Sequence, residues 1–584
     1  MTAFLTAHIA PLMFGTLVLT LLLGYPVAFS LAAVGLGFGL LGMELGLLSP
    51  ALLQALPERV WGVMSNDTLL AIPFFTFMGL ILERSGMAED LLDTIGQLFG
   101  AVRGGLAFAV ILVGALLAAT TGVVAASVIS MGLISLPIML RYGYDRRLAS
   151  GVIAASGTLA QIIPPSLVLI IMADQLGRSV GDMYAGAFIP GAVLTGLYLG
   201  YVALVTLIRP DRAPALPLDA RTIREPDGGS GIPSLLALLG LAIAAALTFE
   251  WFHYEAGAPI DAKIVVTTAV GMGLAFGLAA ANRLFGLKLL SRIAERVTFV
   301  LIPPLALVFL VLGTIFLGVA TPTEGGAMGA TGALVMALAR RRLTFALLRQ
   351  AMESTAKLSA FVMFILIGAR VFSLTFYGVN GHLWVEHLLA GLPGGELGCL
   401  IVVNLLVFVL AFFLDFFELA FIIVPLLGPV AEKLGIDLVW FGVLLAVNMQ
   451  TSFMHPPFGF ALFYLRSVAP ARPFLDKLTG RTMAPVTTGQ IYWGAVPFVV
   501  LQVVMVTLVI AFPQMVMVYQ GVGPTVDPSE VEIVLPPVEA PPALPPNHPG
   551  EAFGAGAPGS DAPQGADSGQ APSQAPDDLT DLFK

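Results

Sequence analysis

Two stretches of this sequence place oxygen-bearing side chains just ahead of paired prolines, inside otherwise apolar runs. The first carries Ser156, Gly157 and Thr158 before Pro164-Pro165, and the second carries Asn448, Gln450 and Thr451 before Pro456-Pro457. Proline removes a backbone donor and clashes with the preceding turn, so each pair breaks a helix and releases carbonyl oxygens. Hydroxyls, amide oxygens and freed carbonyls are the ligands that a hard cation prefers. The amide end of a following half-helix suits an anion. The pattern points to Na⁺ at Ser156, Gly157, Thr158, Pro164, Asn448, Gln450, Thr451 and Pro456. The plainer reading is a kinked helix whose Ser and Thr bond to their own backbone.

Two further apolar runs, 106–140 and 397–430, are too long for one crossing. Each has polar residues at its middle: Thr120, Thr121, Gly122 and Ser127 in the first, Asp415 and Glu418 in the second. Both read as re-entrant hairpins, a form tolerated at membrane depth only when buried in protein or lining a wet cavity. Their tips are expected to face the two breaks. Thr120 then joins the cation set, and Thr121, Gly122 and Ser127 the substrate set. A carboxylate at membrane depth is costly and by default functional, so Asp415 and Glu418 are candidates for ligation or proton transfer; the alternative places them at the hairpin's wet mouth. Arg370 offers a planar fork for a carboxylate, or else snorkels to the interface. Structural roles are expected for His455 and for Glu324, which would cap the helix begun by Pro322.

The elements that position these residues follow from composition. Of 584 residues, 57% are hydrophobic and 11% charged, and the mean hydropathy is +0.92, against about 25% charged residues in soluble domains. This is an all-α polytopic membrane chain. The predicted spans lie near 3–24, 27–48, 66–83, 148–172, 185–208, 232–250, 262–282, 297–318, 322–339, 357–374, 438–465 and 491–513. No Lys or Arg precedes Arg59, so a secretory signal is not expected. The single Cys399 excludes an internal disulfide framework. There is no GxxxxGK[ST] phosphate loop, which argues against ATP hydrolysis, and nothing points to nucleic acid.

Loops 84–104, 141–147, 209–224, 283–296, 340–349 and 466–481 hold 21 of the 28 Lys and Arg. Twelve spans and two hairpins put all six on one side, which should be cytoplasmic, with both termini periplasmic. The net charge of −9 lies entirely in residues 521–584, where ten acids meet one base. This Pro-rich segment cannot bury enough apolar surface to offset its ordering entropy, so 514–584 is expected to be a disordered tail.

The chain also repeats itself at an offset of 288 to 296 residues. Tyr142-Gly143-Tyr144-Asp145 matches Leu434-Gly435-Ile436-Asp437, Gly104-Gly105 matches Gly394-Gly395, and the proline pairs match each other. Residues 1–208 and 297–513 read as two copies, each of five spans and one hairpin, joined by 209–296 with two spans. Five is odd, so the second copy is inverted. Inverted repeats with interrupted helices mark a secondary transporter with its site near the midplane.

The segments GYPVAFSLAAVG (24–35), IPFFTFMG (72–79), RYGYDRRLASGVIAASGTLAQIIPPS (141–166) and TPTEGGA (321–327) resemble the large membrane subunit of tripartite ATP-independent periplasmic (TRAP) transporters. The resemblance covers residues 10–210 and 295–512. It implies Na⁺-driven uptake of a small organic anion, with Na⁺ as coupling ion and no cofactor. It implies an extracytoplasmic solute-binding protein, a small four-span membrane subunit, a bacterial inner-membrane location and an elevator motion. The fold is similar to that of divalent-anion/Na⁺ symporters. A stand-alone symporter of that type is the alternative, and a membrane enzyme is disfavoured by the lack of a catalytic set.

Overall fold

The computed structural model describes residues 2–519, apart from 224, 226–228, 255–259 and 477–478. The first half holds α1 (Thr2–Leu22), α2 (Val27–Glu44), the short α3 (Ala51–Gln54), α4 (Leu56–Met64), α5 (Ala71–Arg84) and α6 (Met87–Leu98). Next come α7 (Gly105–Thr121), α8 (Val124–Arg141), α9 (Arg146–Thr158), α10 (Leu167–Leu176) and α11 (Val180–Ile208). The joining region supplies α12 (Ile232–His253) and α13 (Ile260–Phe285). The second half holds α14 (Arg292–Phe316), α15 (Pro322–Ala339), α16 (Phe345–Gly378) and α17 (Gly381–Ala390). It continues with α18 (Gly395–Leu410), α19 (Phe416–Lys433), α20 (Leu438–Met449), α21 (Phe460–Val468), α22 (Thr488–Ala511) and α23 (Gln514–Met517). A two-residue hairpin ladder, β1 (Phe474–Leu475) with β2 (Thr482–Met483), lies between α21 and α22.

Nine helices among the described residues are long and apolar enough to cross a membrane, and α4 with α5, bent by 44°, makes a tenth candidate. The twelve expected spans are therefore not all simple rods. Segments 148–172 and 438–465 are each broken in two, and α15, rich in Gly and Thr, falls outside the apolar set. Conversely, α8 is apolar enough to cross on its own. It instead doubles back on α7 at Gly122, whose φ of 57° gives the left-handed turn that glycine adopts without strain.

Two stretches differ from expectation for local reasons. The loop 84–104 contains α6, whose Met87, Leu91, Leu92 and Ile95 are buried while Glu89 and Asp93 face out; an amphipathic helix of three turns is hidden in a segment read only for charge. Order extends past residue 513, because Pro513 starts α23 and Val516 packs beside Gly186 of α11. Residues 520–584, including DDLTDLFK, lie outside the described residues.

One continuous buried core runs from Ala10 to Val516. Its most intimate seams join distant parts of the chain. An offset of 294 residues carries Gly35 to Gly329 and Met78 to Phe372. A Cβ on Gly35 of α2 would lie 2.9 Å from the Phe372 Cα of α16, and a Cβ on Gly329 of α15 would lie 2.5 Å from the Met78 sulfur of α5. The α2–α16 and α5–α15 seams thus bring together positions related by the same offset, the first against backbone and the second against a side chain. By contrast, α12 is mostly exposed and packs chiefly on α13 through Leu238, Ala242 and Ala275.

Candidate functional site

Each broken segment is built the same way. Asp145 and Asp437, 292 residues apart, cap α9 and α20, each side chain accepting from two backbone amides. Such caps satisfy donors that the first helical turn leaves free. α9 then gives way to a 3₁₀ turn over Leu159–Gln161, and α20 to one over Gln450–Phe453. The chain runs without regular structure to α10 and α21, through Pro164-Pro165 and Pro456-Pro457, both of which have cis bonds.

The two breaks touch. The Gln450 amide nitrogen donates to the Thr158 hydroxyl oxygen at 3.1 Å, and both side chains are fully buried. These two residues are also 292 apart, so equivalent positions of the two segments meet each other. The Tyr198 hydroxyl of α11 neighbours Thr158 and accepts from the Gln502 amide of α22 at 3.0 Å. A buried polar chain thus links four elements.

The remaining break residues are engaged locally. Ser156 donates to the Ile153 carbonyl at 3.0 Å, Thr158 to the Ala155 carbonyl at 2.9 Å and Thr451 to the Asn448 carbonyl at 2.7 Å. Asn448 donates to the backbone and side-chain oxygens of Asn404 on α18, at 2.7 and 2.9 Å. Several carbonyls released by the prolines are also taken. Ser166 donates to the Gln161 carbonyl at 2.5 Å, Gly459 to His455 at 2.6 Å and Tyr492 to Pro457 at 3.2 Å. Within the two breaks, the side-chain oxygens of Gln161, Gln450 and Ser452 are buried and without a hydrogen bond, as are others elsewhere among the described residues, including the Gln502 amide oxygen. A buried acceptor without a donor is costly; Ser452 faces a separate cavity lined by Leu21, Phe412 and Phe458.

Hairpin one closes on break one. A Cβ on Gly122 would lie 3.3 Å from Leu167 Cγ and 3.8 Å from the Pro165 oxygen, and one on Gly157 would lie 2.3 Å from Val128. Ser127 is buried on α8. The side chains of Thr120 and Thr121 lie outside the described residues. Hairpin two meets its break through aromatic rings. His455 stacks on Phe412 with centroids 4.0 Å apart and meets the Phe408 ring edge-on at 4.5 Å. Asp415 and Glu418 form a capping box on α19, each through one carboxylate oxygen. Asp415 Oδ1 accepts from the Glu418 amide and Glu418 Oε2 from the Asp415 amide, each at 3.0 Å. The spacing Asp-x-x-Glu carries this box, so it was readable from sequence as a structural signal. Glu324 makes the corresponding box with Thr321 on α15, as expected.

Arg370 stands apart from the breaks. It lines a cavity of about 490 Å³ with Arg59, Ser373, Tyr377, Phe421 and Glu432.

The model of the tripartite ATP-independent periplasmic transporter, DctM component, matches residues 14–515. The chain belongs to the DctM family. It is similar to the C4-dicarboxylate TRAP transporter large permease protein DctM of Pseudomonas aeruginosa, 28% identical over 428 residues that cover 72% of this chain and 82% of that one. It is equally similar to the protein of the same name from Rhodobacter capsulatus, 28% identical over 461 residues, 78% of this chain and 89% of that one. The isethionate TRAP transporter permease protein DctMQ of Oleidesulfovibrio alaskensis is 24% identical over 463 residues, 79% of this chain and 61% of that longer one.

Gln161 and Ser452 of this DctM-family chain are not among the residues singled out from the sequence. They are two buried polar residues of the breaks whose side-chain oxygens have no hydrogen bond; each is visible in the sequence as a polar residue in an otherwise mostly apolar stretch.

Proposed function

We propose that this chain is the large membrane subunit of a TRAP system in a bacterial inner membrane, taking up a small organic anion on an inward Na⁺ gradient. A solute-binding protein delivers the anion, and a small four-span subunit braces the chain. The cargo carries one or two carboxylates or a related acid group. C4-dicarboxylate and isethionate in the names of relatives support that class. Residues 1–208 and 297–513 act as two inverted copies across 209–296, and the offset-related seams of α2–α16 and α5–α15 support this division. Both termini face the periplasm, and the hairpins and broken helices move together as the carrier.

The observation that carries the reading is the meeting of the two breaks at Thr158 and Gln450, where the Gln450 amide oxygen is buried and unbonded. A transporter needs a site whose polar groups are satisfied only when cargo or ion is present. Na⁺ bound there would accept oxygens from Thr158, Thr451 and Gln450, and α10 and α21 would present their amide ends to the anion.

Reconstitution tests this directly. The chain and its small subunit in proteoliposomes should take up labelled succinate only with the cognate binding protein outside and Na⁺ directed inward. Uptake by the chain without a binding protein would favour the stand-alone symporter, and uptake indifferent to Na⁺ would refute ion coupling.

A further inference from the structure

The cavity that holds Arg370 lies well away from the breaks. Gln175, on its wall, is eight residues beyond Leu167, roughly 12 Å along α10 at 1.5 Å per residue. The walls come from two sides. Arg59 of α4 and Arg370, Ser373 and Tyr377 of α16 form one, and Gln175 of α10 with Phe421 and Glu432 of α19 form the other. The basic-loop count places this end of α10 outward, so the cavity opens toward the side from which cargo would arrive.

Its charge is unbalanced. Neither Arg59 nor Arg370 has an ion-pair partner among the described residues, whereas the Glu432 carboxylate is paired with Arg178 at 3.2 Å. Arg370 is half-buried, and desolvating a guanidinium without a partner is costly. Beside the two cations stand the Ser373 hydroxyl and the Gln175 amide, with Leu366 and Leu374 supplying apolar wall. A volume of about 490 Å³ is in the range of small-ligand pockets. With Glu432 paired outside to Arg178, the excess positive charge of the two arginines would concentrate anions.

We propose that the Arg59–Arg370 cavity is a second anion site, an outer station that holds a small carboxylate or sulfonate before it reaches the breaks. This rests on the transport reading for its direction and cargo class. The station requires charge at both arginines and a soluble anion small enough to leave again.

The test uses the full chain in membrane vesicles with Cys399→Ser, to remove the native thiol, and Ser373→Cys as a reporter. The reporter is labelled in parallel by an anionic sulfonatoethyl and a cationic trimethylammonioethyl methanethiosulfonate, each forming a mixed disulfide with the thiolate and releasing methanesulfinate. Ser49→Cys, at an exposed position, corrects for intrinsic reactivity. We expect the anionic reagent to be favoured roughly tenfold or more at position 373 relative to position 49. The preference should vanish in Arg59→Gln/Arg370→Gln and survive in Arg59→Lys/Arg370→Lys, which separates charge from collapse of the wall. Succinate should slow the anionic labelling. The inference is overturned if position 373 shows no anion preference, keeps it without both arginines, reacts with neither reagent, or is protected only by phosphatidylglycerol and not by succinate. An anion-selective cavity in a chain without Na⁺-driven uptake would sink the transport reading alone. Uptake with no selectivity at position 373 would sink this inference alone.

Discussion

The Thr158–Gln450 contact makes a quantitative test, because its two halves are unequal. Thr158→Ala removes the acceptor for the Gln450 amide and leaves that donor buried at a site that is 0% exposed. The lost bond costs about 1 kcal/mol and the stranded donor about 1–3 kcal/mol more, for a total of about 2–4 kcal/mol. Gln450→Met behaves differently. It forfeits the same bond, but it also removes a buried amide oxygen that has no partner, and Thr158 keeps its bond to the Ala155 carbonyl. The gain and loss nearly cancel, within about 1 kcal/mol. In the double variant Met faces Ala and the stranded Gln450 donor is gone, so the cost falls to about 1 kcal/mol for the missing methyl, besides the Tyr198 contact that both Thr158 variants lose alike. The single effects should therefore fail to add by about 1–3 kcal/mol. Chemical unfolding of the four proteins in the same detergent without Na⁺ measures the cycle. Additivity within about 0.5 kcal/mol, the range for independent sites, would refute the coupling of the two breaks. The same variants give the functional arm: Thr158→Ala should also shift Na⁺ activation of uptake to higher concentration.

Gly151→Ala should be among the most damaging single changes. A Cβ there would sit 2.1 Å from the Gly494 carbonyl oxygen of α22, and backbone cannot move aside as a side chain does, so we expect a loss above about 3 kcal/mol in thermal unfolding. Gly62→Ala, with open space around its Cβ, is the control and should be neutral or slightly stabilising. Asp415→Asn should fold normally, because an amide oxygen accepts the same bond from Glu418, while Asp415→Ala should lose about 0.5–2 kcal/mol of melting stability; transport by Asp415→Asn at all pH values would leave the carboxylate's charge without a coupling role. Asp476, in the loop after α21, is gripped by Arg141 through three bonds of 2.8–3.1 Å and by Thr479, which hold its carboxyl down at about 2. Its contribution is present above the ordinary carboxylate range and lost only as pH falls through about 2. Asp476→Asn should hasten tryptic cleavage at Arg481, by a factor that stays constant from pH 6 to pH 8.

Much of this architecture was legible because it is written in residues that punctuate helices. The proline pairs, Asp145 and Asp437 as caps, and Gly104 and Gly394 before the hairpins all act through the local backbone, and each element begins or breaks where those residues require. The site was legible only as far as the segments. Which oxygens are free depends on which are taken: nothing in sequence tells that Ser166 reaches the Gln161 carbonyl, or that Asn448 turns to Asn404. The capping box of Asp415 and Glu418 follows from their spacing, whereas a ligating or proton-carrying role is a matter for the Asp415→Asn test. The contact between the breaks depends on packing across nearly 300 residues, which no local pattern encodes.

The two seams also set a timetable for assembly. Gly35 of α2 finds Phe372 of α16, 337 residues downstream. At synthesis rates of about 5–20 residues per second, the first half waits roughly 15–70 s before its partner helices leave the ribosome. During that interval α2 and α5 present glycine-lined and aromatic faces to lipid, translocon or chaperone instead of to protein. Until then the first half lacks the partners that cover these faces.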